Sequence, residues 1–172
     1  MKINCFAIAV LFFTNQIFMA AQPVISLVTP SSTTVEKWGK FEAKLALTAA
    51  FTNPFDYDEI AVKAVFTAPD GSERMVDGFF MQDFDLTNQT TGTIAANGLG
   101  AFKIRFSPDQ IGQWKYKTSC TTAAGTGNFA EQIFECTDVV SPKNRGFIRA
   151  DQTNYLHFDD GGQYIAIGEN MA

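Results

Sequence analysis

The chain has 172 residues, 13 Lys plus Arg against 18 Asp plus Glu, and a formal net charge of −5. That acidic balance, with no clustered basic run, excludes nucleic acid and anionic membrane surfaces as partners, because phosphate contacts need grouped Lys and Arg. The length suits one ordinary domain with a real hydrophobic core.

The elements begin with a leader. Lys2 gives a short positive region, Cys5 to Phe13 an apolar one, and Thr14, Asn15 and Gln16 interrupt it before Ile17 to Ala21. The stretch is too short and broken for a membrane span of about 20 apolar residues, and reads as a secretory signal peptide over residues 1–21. Cleavage is expected after Ala21, with Ala20 as the neighbouring option, and export implies a secreted or periplasmic protein. Cys5 lies inside the apolar region, which argues against a lipoprotein anchor.

Period-2 alternation then dominates. Phe41, Ala43, Leu45 and Leu47 form one dry face, and Ile60, Val62, Ala64 and Phe66 a second. Glu73 to Val76 follow a Pro69-Asp70-Gly71-Ser72 turn. Phe102, Ile104 and Phe106 alternate with Lys103 and Arg105, and Trp114, Tyr116, Thr118 and Cys120 alternate with Lys115, Lys117 and Ser119. Short strands with one wet and one dry face predict an all-β fold, an immunoglobulin-like antiparallel β-sandwich over residues 22–141. The polar stretch from Asp85 to Gly100 is expected to be the main irregular loop. After Ser141-Pro142-Lys143-Asn144 the character changes: Phe147 to Arg149 and Tyr155 to Phe158 read as short linker strands. The final run, Tyr164 to Ile167, leads into Gly168-Glu169-Asn170. An apolar run closing on a carboxylate and an amide resembles a buried strand that delivers polar groups to a site.

Candidate chemistry is sparse. Cys120 and Cys136 form an even pair in an oxidising compartment, each by parity on a dry face; a disulfide is expected, worth roughly 3 kcal/mol, with two buried thiols as the alternative. His157 is the single histidine and lies in an alternating strand, so it reads as structural and not as part of Ser-His-Asp or Cys-His machinery; with so few Cys and His, no metal or cofactor is expected. The carboxylates at Asp56-Asp58-Glu59, Asp83-Asp85 and Asp159-Asp160 sit at turn signals, where local hydrogen bonding competes with calcium binding and is the better account. Trp38, Phe79, Phe80 and Phe84 are the aromatics to test as a sugar platform; Trp38, Phe80 and Phe84 carry that assignment, against a core-packing role. Glu169 and Asn170 are substrate-contacting candidates in a longer parent enzyme, and this chain has no catalytic residues of its own, since glycoside hydrolysis uses two carboxylates.

The series Val35-Glu36-Lys37-Trp38, Asn53-Pro54-Phe55, Val76-Asp77-Gly78-Phe79, Phe102 to Asp109, Gly112-Gln113-Trp114-Lys115-Tyr116 and Gly127-Asn128-Phe129 resembles the family called domain of unknown function 5060. The resemblance covers almost all of the chain after the leader. It implies an immunoglobulin-like sandwich at the front of secreted bacterial glycoside hydrolases. The segment Asn144-Arg145-Gly146-Phe147-Ile148-Arg149 through Gly168-Glu169-Asn170 is similar to the piece joining that sandwich to a catalytic (β/α)8 barrel. Residues 142–172 are therefore expected to be linker strands plus the first strand of a barrel that is otherwise missing, with the barrel and polysaccharide as partners. The stretch after Phe79 is longer than the family's usual short turn. The expected role is a non-catalytic accessory module that packs on or positions the barrel; the alternative is a free-standing carbohydrate-binding or adhesion-type module.

Overall fold

A computed structural model describes residues 21–150 and 155–168. Among them there is no helix; thirteen strands form three sheets. The first sheet has the order β1-β3-β7-β6 and uses β1 (Val24–Pro30), β3 (Phe41–Thr48), β6 (Phe79–Asn88) and β7 (Thr93–Phe106). The second has the order β2-β10-β8-β4-β5, from β2 (Thr34–Glu36), β4 (Ile60–Thr67), β5 (Glu73–Asp77), β8 (Gly112–Thr122) and β10 (Gln132–Thr137), with β9 (Gly125–Asn128) also on β8. All pairings in these two sheets are antiparallel except β2 with β10.

Alternation explains the packing. In β4 every second residue, from Ile60 to Phe66, is buried, and β8 buries Trp114, Tyr116, Thr118 and Cys120 in the same way. The dry faces of the two sheets meet in one core. Phe41 from the first sheet lies with its ring 4.3 Å from Phe134 and 5.7 Å from Phe66 of the second, and Phe106 stacks on Phe66 at 4.2 Å. Such ring pairs add about 0.5–1.5 kcal/mol each beyond the area they bury.

The corner before β8 closes one end. Trp114 is fully buried, and its indole N–H donates to the Gln110 carbonyl at 2.8 Å. Gln110 in turn donates to Asp70 at 2.7 Å, while Arg74 pairs with Asp109 at 2.8 Å, so the 68–72 turn is tied to the corner. Gly112 has φ of 122° with Pro69 close to where a side chain would start, which demands glycine.

Two sequence expectations are corrected. The stretch from Asp85 to Gly100 is not an irregular loop. It is the outer part of the β6–β7 hairpin, paired from Asp83↔Asn97 to Asn88↔Thr93 and projecting past the rest of its sheet. Its polar composition hid the pairing, because cross-strand hydrogen bonds need no apolar residue. The Cys120–Cys136 disulfide is also overturned: both are buried free thiols. Cys136 pairs with Gly112, whereas Cys120 lies eight residues further along β8. That separation is about 27 Å at the strand rise, against the 7 Å limit for bridging. Parity placed both on the dry face; it carried no information about position along the strand.

A third, small antiparallel sheet follows: β11 (Ile148–Ala150), β12 (Leu156–Phe158) and β13 (Gln163–Tyr164). It is tied by Asp159, whose carboxylate accepts from the Phe147 amide at 2.9 Å and from Arg149 at 2.8 Å. Pairing stops at Tyr164, and Ile165 and Ile167 are 70% and 93% exposed.

Candidate functional site

The two ends of the core carry different features. At one end lie the start of β3, Trp38 and the linker. Glu36 gathers the linker: its carboxylate accepts from the backbone amides of Val140 (2.9 Å) and Ser141 (3.0 Å) and from the Asn144 amide (2.9 Å). Those bonds, the Ser141 amide foremost, hold its carboxyl below the usual range. Trp38 is half-buried beside them, in the left-handed region at φ 64°. Its backbone amide donates to the Pro108 carbonyl at 2.6 Å, Lys37 lies 4.4 Å over its ring, and Gly146 approaches so closely that a Cβ there would sit 2.9 Å from the ring. The linker thus runs along Trp38 in one fixed orientation.

At the opposite end, about 24 Å away along β3, the 49–59 loop is held rigidly. Glu59 accepts from the Thr52 amide (2.5 Å), the Thr52 hydroxyl (2.7 Å) and the Asn53 amide (3.0 Å), which lower its pKa, the Thr52 amide most. The Tyr57 hydroxyl donates to the Gly78 carbonyl at 2.6 Å. This loop displays Phe55, 71% exposed, edge-on to Phe80 at 5.5 Å. Phe51, Phe80 and Leu99 line an open groove of about 630 Å³ beside it. Gly100 floors that groove against the Phe80 ring, which would stand 2.3 Å from an added Cβ.

The predicted platform residues are therefore not brought together. Trp38 lies at the linker end, Phe80 is half-buried at the other end, and Phe84 stands exposed on the projecting hairpin. Phe79 faces the outer side, with Arg105 4.7 Å over its ring. Phe51, Phe55, Tyr57 and Leu99 were missed as surface residues; the Asn53-Pro54-Phe55-Asp56 turn was their one sequence signal, legible as punctuation alone. Glu169 and Asn170 lie outside the described residues, as does the leader up to Ala20.

The carboxylates are engaged locally. Asp56 accepts the Asp58 amide at 2.9 Å, Asp85 accepts from Asn97 at 3.2 Å, and Asp160 accepts from Arg145 at 2.8 Å. On the outer face of the first sheet, Lys103 is buried and donates to Asp83 at 2.7 Å and to Glu42 at 3.3 Å. Arg105 also pairs with Glu42. Asp83 raises the Lys103 pKa, and Lys103 lowers that of Asp83, so both stay charged. This network ties β3, β7 and β6 together at the root of the hairpin. Among the described residues no group of three His, Cys, Asp or Glu side chains could hold a metal ion.

No curated protein matches the chain. Among solved structures it is similar to one described as a "putative glycoside hydrolase" from Bacteroides vulgatus ATCC 8482, at 25% identity and a TM-score of 0.53. The similarity covers 76% of this chain and 21% of that one, so the chain spans about a fifth of that protein's length. The model of the family described as Domain of unknown function (DUF5060) matches residues 34–121, from β2 into β8, and the chain belongs to that family.

Proposed function

We propose that the chain is a non-catalytic accessory module of an exported glycoside hydrolase, an immunoglobulin-like β-sandwich that holds the catalytic barrel in place. The observation that carries this is the similarity of most of the chain to one fifth of a much longer protein described as a "putative glycoside hydrolase". The linker end suits a positioning role, because Glu36 and Trp38 clamp residues 140–146 and so fix the direction in which the chain leaves the core. In this reading residues 165–168 begin the first barrel strand, which is consistent with the exposure of Ile165 and Ile167. Glu169 and Asn170 would then lie on the rim where barrel loops meet substrate.

Export and processing after Ala21 belong to the same proposal; the amino-terminal sequence of the protein recovered from the periplasm or medium checks them. The enzyme assignment is tested by reading the gene beyond codon 172. A frame that continues into alternating strands and helices supports it. A stop codon directly after Ala172, with a stable product of that length, overturns it. The purified chain should show no turnover on aryl glycosides or polysaccharides; measurable hydrolysis would refute the non-catalytic role.

A free-standing carbohydrate-binding module is the second reading, favoured by the exposed rings of Phe55 and Phe84. Affinity electrophoresis through neutral polysaccharides separates the two. Retardation lost on Phe55→Ala or Phe84→Ala favours glycan binding, and unretarded migration favours positioning alone.

A further inference from the structure

The β6–β7 hairpin is a two-stranded ribbon with two unlike faces. Side chains alternate along β6, so Phe84 and Leu86 share the side of Phe80, which packs on Phe102 at the core. Ala96 and Ile94 stand opposite them on β7. The other side carries Asp83, Asp85 and Asn97, joined to each other or to Lys103. The ribbon therefore prolongs the inward, apolar face of its sheet beyond the point where the second sheet ends. Nothing in the chain's described residues covers it: Phe84, Leu86 and Ile94 are 55%, 56% and 58% exposed.

We propose that this face joins two copies of the chain, hairpin stacked on hairpin about a two-fold axis. The area is sufficient. Phe84, Leu86 and Ile94, with Phe51 and Phe55 at the adjoining end of the core, each offer roughly 100 Å² of apolar surface. Together they give about 500 Å², which is the apolar share of the ~800 Å² per partner of a standard interface, a little over half of it being non-polar. The ribbon is also self-complementary, as an isologous contact requires: an apolar face meets its own copy while the carboxylates point outward.

Edge-to-edge pairing is the competing geometry, since β6 is the free edge of its sheet. Charge disfavours it. An antiparallel pairing centred on Phe84 would set Asp83 of one copy across from the partner's Asp85, and like charges placed opposite are destabilising. Face-to-face stacking avoids that clash. Sugar rings are a poorer occupant of the ribbon, because Leu86 and Ile94 beside Phe84 give no aromatic face for stacking.

The test is sedimentation equilibrium of the purified chain from 1 to 100 µM. The expected result is a monomer–dimer equilibrium with Kd on the order of 10 µM. The double variant Leu86→Glu, Ile94→Glu should be monomeric throughout, whereas Ile133→Glu, on the outer face of β10, should associate as the unaltered chain does. Hydrogen exchange gives a second readout that needs no variant: amides of 84–96 should exchange more slowly at 100 µM than at 1 µM. A monomer at 100 µM overturns the proposal, as does association that survives the double variant. Retardation by a neutral polysaccharide that the monomer shows and the double variant loses would overturn it in favour of glycan binding.

Discussion

Phe41 is the side chain that both sheets share, and its replacement by alanine probes the core directly. It is fully buried, and its ring meets Phe66, Tyr116 and Phe134 at 5.7, 5.1 and 4.3 Å. Truncating a buried phenylalanine costs about 3–5 kcal/mol through lost transfer energy and the cavity left behind. Three ring contacts place Phe41 at the upper end of that range. Domains of this size have about 5–15 kcal/mol in total, so Phe41→Ala should lose a third or more of its stability. At about 2–4 °C per kcal/mol, Tm should fall by about 10–15 °C. Urea titration followed by tryptophan fluorescence measures it, with Phe55→Ala as the exposed control, expected within about 0.5 kcal/mol of the parent. If Phe41→Ala does not fold, Phe41→Leu gives a graded step of about 1–2 kcal/mol, since it keeps most of the apolar volume. A cost for Phe41→Ala below about 1 kcal/mol, or one no larger than that of Phe55→Ala, would refute the two-sheet core.

The two core cysteines should be silent to a thiol reagent in the folded protein and react in 6 M guanidinium. Burial pushes Cys136 up to about 11, leaving about one thiolate in a thousand at pH 8; two thiols that appear in guanidinium only after reduction would restore the disulfide. Gly127→Ala drives a Cβ to 1.9 Å from the Pro23 carbonyl oxygen, so β1 and β9 must part, at a cost of about 1–3 kcal/mol; a neutral effect on the urea midpoint would contradict that approach. Hydrogen bonds from the Ser72 hydroxyl, the Ser72 amide and Gln110 hold Asp70 at about 2 against an ordinary 3.8. Native Asp70 therefore stays ionised where the unfolded chain takes up a proton, and its stabilisation, complete above pH 4 or so, disappears as pH falls to about 2. The Asp70→Asn variant should lose that part of the acid limb, read from urea midpoints at pH 5 and 2.5. Glu36→Gln should speed proteolysis within 140–146, because a neutral amide holds the Val140 and Ser141 N–H groups less tightly; unchanged cleavage would disconnect Glu36 from the linker.

Much of this molecule is written in local pattern. The alternation in β3, β4 and β8 identifies their buried faces residue by residue, because a strand's side chains have a period of two whatever its neighbours do. The Asp109 to Trp114 corner is legible for a similar reason: a glycine, a turn and a large aromatic lie within one short span. Pairing is a different matter. The hairpin between Asp83 and Asn97 carries its alternation only in Phe84 and Leu86 on one strand and Ile94 and Ala96 on the other. They flank a long Thr, Asn and Gly turn that reads as loop, yet the hairpin's backbone groups find partners across the turn. The cysteines share a face and lie far apart along it, because parity says nothing of position along the strand axis. Trp38 and Phe84, both candidate platform aromatics, end at opposite poles, and Phe55 reaches the surface from what reads as a simple turn. Only the register of one strand on the next decided which side chains meet, since that register sums hydrogen bonds and contacts between residues remote in the chain.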